Sequence, residues 1–146
     1  MRKACEAAER SRLPDLKNEA YSDLSTCYRV QMHEYAPALA AAETALENSP
    51  PARYGFSLAD VVECQLGLGS WEAALAMLDA NQGRVGPRDR EMLTELRARA
   101  LHGMKRYGEA LTCLQTLLVD PHQRWLREEA ARWTEEAGRG DLARKW

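Results

Sequence analysis

Apolar residues recur along this chain at spacings of three and four, the period of an amphipathic helix, and nowhere alternate with period two. Tyr21, Leu24, Tyr28 and Met32 form one such stripe; Leu58, Val61 and Val62, continued by the polar Gln65, form a second, and Leu93, Leu96 and Ala100 a third. The pattern predicts helices over residues 2–12, 15–31, 35–48, 53–66, 71–82, 89–102 and 107–119. Breakers punctuate it at Leu13-Pro14-Asp15, His33-Glu34, Ser49-Pro50-Pro51, Gly67-Leu68-Gly69-Ser70, Gly83 to Pro87, Gly103 and Asp120-Pro121. Asp15 is placed to cap the second helix and Gly103 to end the sixth. The first helix is expected to bury Ala4, Ala7 and Ala8 against the second. A last segment carries Leu126, Ala130, Trp133 and Ala137 on one face, before Gly138 and a single turn opened by Asp141. The sum is an all-α protein of seven main helices plus a short C-terminal turn, without strands.

Superposed on the helical period is a longer one. Tyr35-Ala36-Pro37-Ala38-Leu39 returns as Trp71-Glu72-Ala73-Ala74-Leu75 and as Tyr107-Gly108-Glu109-Ala110-Leu111, at a step of 36 residues. Ala42, Leu78 and Leu114 share that phase, as do Ala45, Asn81 and Leu117. Pro14, Pro50 and Gly86 close successive units, and Pro121 falls one residue short of the fourth place. A period of this length signifies a stack of helix pairs, each touching only its neighbours. The units are a half-repeat at 1–14, repeats at 15–50, 51–86 and 87–121, and a partial repeat at 122–146. Beginning and ending inside a repeat suggests a piece of a longer array; the alternative is a short protein with degenerate caps.

Helix–turn–helix units whose second helix opens with aromatic-x-x-Ala-Leu, and which close on Pro, resemble tetratricopeptide repeats in a 36-residue variant. The resemblance covers about residues 15–142. Tyr35, Trp71 and Tyr107 fall on the family's inter-helix aromatic, and Ala45 and Pro50 on its later small residue and closing Pro. Tyr21-x-x-Leu24-Ser25-x-x-Tyr28 matches its first-helix pattern if the turn holds one inserted residue. Asn81 and Leu117 depart from the later small residue, and Thr94 and Arg97 fit the third first-helix poorly without the same insertion. The resemblance implies a right-handed α-solenoid of antiparallel helix pairs, with first helices lining a concave groove. It implies a non-catalytic scaffold that binds a peptide or helix of a partner protein through Asp23, Cys27, Val30, Ala59, Glu63, Leu66, Glu95, Arg99 and His102. The family's clamp for a C-terminal carboxylate uses Lys, Asn and Arg; Asp23, Ala59 and Glu95 stand at one clamp position here and argue against that activity. A mildly acidic groove with apolar spots suits a basic or apolar partner.

Charge changes the picture little overall, since the net is only −2, but more locally. From Tyr21 to Gly86 there are three cationic residues, Arg29, Arg53 and Arg84, against eight acidic ones. That argues against nucleic acid and acidic membranes as partners. The runner-up readings are a helical-repeat array on single-stranded RNA, which needs a basic channel, and a purely structural or oligomerisation segment. Cys5, Cys27, Cys64 and Cys113 form no C-x-x-C pair and sit in apolar helical patterns, so reduced thiols in a cytoplasmic setting are expected. The charged N-terminal stretch carries no signal-peptide core, and no apolar run reaches membrane-spanning length.

No enzyme motif is present: His33, His102 and His122 lie at helix ends or after Pro121, and no H-E-x-x-H, G-x-G-x-x-G or P-loop occurs. No cofactor or metal is expected, and Ser25, Thr26 and Cys27 read as packing residues. Arg139-Gly140-Asp141 reads as a helix end followed by an Asp cap rather than an adhesion loop. A stack cut inside a repeat leaves one face uncovered, which predicts a weak homodimer through Leu126, Ala130, Trp133 and Ala137.

Overall fold

The computed structural model describes residues 2–11, 13–118 and 124–138. Among them the chain is all-helical, without strands. The α-helices are α1 (Arg2–Ser11), α2 (Pro14–Thr26), α3 (Tyr35–Glu47), α4 (Tyr54–Gly67), α5 (Trp71–Ala80), α6 (Pro87–Gly103), α7 (Tyr107–Leu117) and α8 (Arg124–Glu136). A π-helical turn, Cys27–Gln31, continues α2, and short 3-10 turns at Pro51–Arg53 and Gln82–Arg84 precede α4 and follow α5. Each helix packs on the next in sequence; α2 also packs on α4, and α4 on α6.

The 36-residue period is visible in the backbone. His33 (φ 53°), Gly69 (φ 71°) and Lys105 (φ 60°) each hold a left-handed conformation in the turn before α3, α5 and α7. In the second and third turns the backbone closes identically. Ser70 N–H donates to the Gln65 carbonyl at 2.8 Å and Arg106 N–H to that of Leu101 at 2.9 Å, which satisfies carbonyls otherwise left open at a helix end. In the first turn Glu34 N–H reaches one residue further back, to Tyr28 at 2.9 Å. That extra residue is the π-turn, the usual form of a one-residue insertion inside a helix.

The motif alanines Ala38, Ala74 and Ala110 are fully buried, as close helix contact requires. The central helix α4 buries nearly its whole length, with Leu58, Val61, Val62 and Cys64 at zero exposure. Pro14 and Pro87 open α2 and α6, where a missing N–H costs nothing.

Several sequence expectations are corrected. In α1 the inward residue is Cys5, whose Sγ lies 3.5 Å from the Ala20 carbonyl; Ala4 and Ala7 are exposed, and the Ala8 side chain lies outside the described residues. Asp15 does not cap α2: the helix opens at Pro14 and the carboxylate sits in the first turn, where the helix dipole still favours it. Gly103 is the last residue of α6, and the left-handed place falls on Lys105. The segment expected to end in a leftover turn is a full helix, α8, and it turns Leu126, Ala130 and Trp133 inward onto α6 and α7. Those three are therefore buried rather than an uncovered face; Trp125 is the exposed aromatic of α8. Arg139-Gly140-Asp141 and the turn from Asp141 lie outside the described residues.

Candidate functional site

The motif aromatics are only half-buried, and the reason lies 32 residues further along the chain, at Gly67 and Gly103. The Tyr35 ring lies against Gly67 at the end of α4, and the Trp71 ring against Gly103 at the end of α6. A Cβ at either glycine would overlap the ring, so a flat aromatic on bare helix backbone is the repeated element. Tyr107 has its edge toward the His102 ring, centroids 5.6 Å apart. His102 in turn stacks on Trp133 at 4.3 Å with an interplanar angle of 14°.

These rings border an open groove of about 730 Å³. Its lining comes from the π-turn (Arg29, Val30), the left-handed turns (His33, Lys105), α4 (Glu63, Leu66, Gly67), α6 (Arg99, His102, Gly103) and α8 (Glu129, Arg132, Trp133, Glu136), with Tyr35, Trp71 and Tyr107. The volume falls within the range of ligand-binding clefts. Four cationic side chains, Arg29, Arg99, Lys105 and Arg132, face three carboxylates, Glu63, Glu129 and Glu136. The acidic groove expected from the sequence is thus offset by Arg99, which the repeat spacing did place there, and by Arg29, Lys105 and Arg132, which it did not.

Two of those carboxylates are committed. Glu63 Oε1 accepts from Arg99 at 3.0 Å, and Glu136 Oε2 lies 2.5 Å from His102 Nε2. Beneath the groove, Asp60 is 6% exposed and pairs with Arg29 at 3.8 Å. Burial pushes its carboxyl up to about 6, with Arg29 opposing and Glu63 reinforcing the rise. Asp60 Oδ2 and Arg29 Nε are both buried without a hydrogen-bond partner. Glu95 on α6 is also raised, by desolvation first, with Arg99 opposing.

Of the residues singled out by spacing, the structure brings Val30, Glu63, Leu66, Arg99 and His102 together in the groove. Asp23, Cys27, Ala59 and Glu95 do not line it. Asp23 is exposed on α2, Cys27 contacts Gln31 within the π-turn, Ala59 packs into the core around Leu58 and Val62, and Glu95 is half-buried. Missed from sequence were Arg29, His33, Lys105 and the α8 set. The in-phase triplet His33, Gly69 and Lys105, and the pair Gly67 and Gly103, were the signals that could have found the turn residues. All four cysteines are free, and among the described residues no group of three or more His, Cys, Asp or Glu could hold a metal ion. No described helix is long and apolar enough to cross a membrane. No family model, curated protein or solved structure matches the chain at a significant level.

Proposed function

We propose that this chain is a non-catalytic protein-interaction scaffold of tetratricopeptide type, a right-handed α-solenoid of antiparallel helix pairs that holds a segment of a partner protein in the groove. The observation that carries this reading is the repetition of one ring-on-glycine element along the groove, Tyr35 on Gly67 and Trp71 on Gly103. A surface assembled from equivalent parts of successive repeats is suited to a linear ligand, which meets each repeat in turn. Val30, 54% exposed, and the partly open rings supply apolar contact, while the ion-paired rim supplies orientation. The free cysteines support an intracellular setting.

A second reading, single-stranded RNA, draws on the same combination of aromatic rings and cations. The carboxylates Glu63, Glu129 and Glu136 in the lining count against it, because a phosphate chain would be repelled along the path it has to follow.

The test is selection from a displayed library of helical and extended peptides on the intact chain, repeated with Val30→Glu and Arg132→Glu. Selected peptides should lose affinity for both variants. Peptides that bind all three proteins equally would remove the groove as the site. Retention of RNA in place of peptide, weakening steeply with salt, would move the chain to the second class.

A further inference from the structure

The repeats are not filled alike where α6 meets α5. Tyr54, Leu58 and Val61 share one face of α4, at spacings of four and three, and all are buried. Their counterparts 36 residues on are Arg90, Thr94 and Arg97 of α6. Two arginines and a threonine thus stand where the preceding repeat puts a tyrosine, a leucine and a valine. The neighbouring helix retreats at the same point. α3 runs to Glu47, whose counterpart is Gly83, but α5 stops at Ala80 and the chain enters the 3-10 turn Gln82–Arg84. The result is a cleft of about 470 Å³, bordered by Arg90, Thr94, Arg97, Gln82 and Gly83, with the buried Leu78, Val85 and Leu93 among its walls. It shares no lining residue with the aromatic groove, and it stands or falls apart from the scaffold reading.

The charge in this cleft has one sign. Both charged lining residues are arginines, and no carboxylate lines it among the described residues. Arg97 pairs with Asp79, which lies outside the lining, and one such pair leaves other guanidinium donors unused. Arg90 has no hydrogen-bond or ion-pair partner for its guanidinium among the described residues, so its charge stays uncompensated there. The Thr94 hydroxyl donates to the Arg90 carbonyl at 2.8 Å, so against the bulkier Leu58 it adds room rather than a free donor. Gly83 brings no side chain, and a Cβ there would meet nothing within 4 Å.

A guanidinium fork takes a carboxylate through two parallel N–H···O bonds, and the stems of long arginines add apolar contact. The volume lies in the range of small-molecule sites. A cleft that the preceding repeat closes suits a compact ligand rather than one that runs along the stack. We propose that this cleft between α5 and α6 binds a small organic acid, a carboxylate carried on an apolar body. The carboxylate rests on Arg90 and Arg97, and the body lies against the arginine stems and the aliphatic walls.

The experiment is isothermal titration calorimetry on the intact chain with octanoate, octylammonium, acetate and a capped Leu-Glu-Leu tripeptide. Octanoate should bind at a single site with sub-millimolar affinity. Octylammonium keeps the body and reverses the charge, and acetate keeps the head group without the body; each should bind at least about tenfold more weakly. Arg90→Gln should weaken octanoate about tenfold, as loss of a charge-assisted hydrogen bond does. Gly83→Glu, which places a carboxylate like that of Glu47 where there is space for it, should abolish binding. Arg88→Gln, outside the lining, should leave it unchanged. Matching thermal unfolding of the variants would show that the losses are local. Equal affinity for octanoate and octylammonium, octanoate binding indifferent to Arg90→Gln and Gly83→Glu, or no octanoate binding at millimolar concentration overturns the proposal. Preference for the tripeptide also overturns it, and assigns the cleft to an acidic side chain of a partner.

Discussion

Where α2 meets α3 and α4, the buried positions include Ser22, Ser25, Ala42, Ser57 and Asp60; one repeat on, where α4 meets α5 and α6, their counterparts are Leu58, Val61, Leu78, Leu93 and Leu96. All five pairs are 36 residues apart, and all ten side chains are buried. The same places in the repeat are thus filled by three hydroxyls, a carboxyl and the small Ala42 in one region and by larger aliphatic groups in the other. In the first region, directed bonds replace area. Asn18 Nδ2 donates to the Ala45 carbonyl at 2.7 Å and to Ser57 Oγ at 2.9 Å, and Ser25 Oγ donates to the Ala38 carbonyl at 2.9 Å. Satisfaction is incomplete, since Asn18 Oδ1, Ser22 Oγ and Asp60 Oδ2 are buried without partners. Each such group costs about 1–3 kcal/mol. Register in this array is therefore held by shape, with small motif alanines common to both regions. Cohesion differs, and the aliphatic region should be the last to open.

The largest test of that contrast is Leu58→Ala, expected to destabilise by about 2–5 kcal/mol as a fully buried leucine. A loss under about 1 kcal/mol in chemical denaturation would show that the aliphatic region does not carry the fold.

Next comes the pH dependence of Asp60. Its folded-state value, about 6, lies above the ordinary 3.8, so the folded chain holds this proton more tightly than the unfolded one. The contribution of Asp60 to stability is then full below about pH 4, falls as pH rises toward 6, and is lost above it, a loss on the order of 3 kcal/mol. Arg29, Glu63 and Arg53 are the charges that act on the group. Asp60→Asn should flatten the stability profile between pH 4 and 7, and an unchanged slope would rule out a buried, protonatable Asp60.

Ala74→Leu should cost about 1–3 kcal/mol by overpacking, whereas Ala80→Leu, on an exposed position, should be near neutral. Equal shifts in the denaturation midpoint would contradict the register. The smallest effect has the opposite sign. Ser22→Ala removes an unsatisfied buried hydroxyl and should stabilise by up to about 1 kcal/mol. Destabilisation there would mean that the polar region is better satisfied than its contacts indicate.

The helices were legible because the apolar spacing and the breakers agree at almost every boundary. The aromatic-x-x-Ala-Leu motif placed Tyr35, Trp71 and Tyr107 at the first residues of α3, α5 and α7. Even Asn81, which departs from the small residue at the same place one repeat earlier, Ala45, has a physical reason. Tyr54 OH donates to its Oδ1 at 2.6 Å, one period after Asn18 reaches the Ala45 carbonyl. The link between the two helices is kept while its donor and acceptor change. What spacing could not give was direction. Cys5 rather than Ala4 or Ala7 faces α2 because packing against Ala20, Tyr21 and Leu24 chooses the face. The α8 residues turned inward because α6 and α7 already offered a surface. Four of the nine proposed groove positions missed: Asp23, Ala59 and Glu95 are one place in the repeat, and it does not line the groove, while Cys27 missed because equal spacing assigns equal directions only while the helix stays α-helical.

The π-turn at Cys27–Gln31 breaks that condition, and its effect falls on one residue. Arg29 stands where the next two repeats have Gln65 and Leu101, both buried. The widened turn brings position 29 to the wall of the groove, where the guanidinium is part-exposed and reaches Asp60 while its Nε stays buried. Composition and hydropathy are untouched by this device; chain length alone decides whether the residue serves the interior or the surface. Removing one residue from the turn would rewind it to the α-helical pitch and drive a charge into a place that the next two repeats fill with a neutral amide and a leucine. A chain with such a turn accepts substitutions around it far more readily than it accepts a deletion, and a relative lacking the extra residue would need an uncharged side chain at that place.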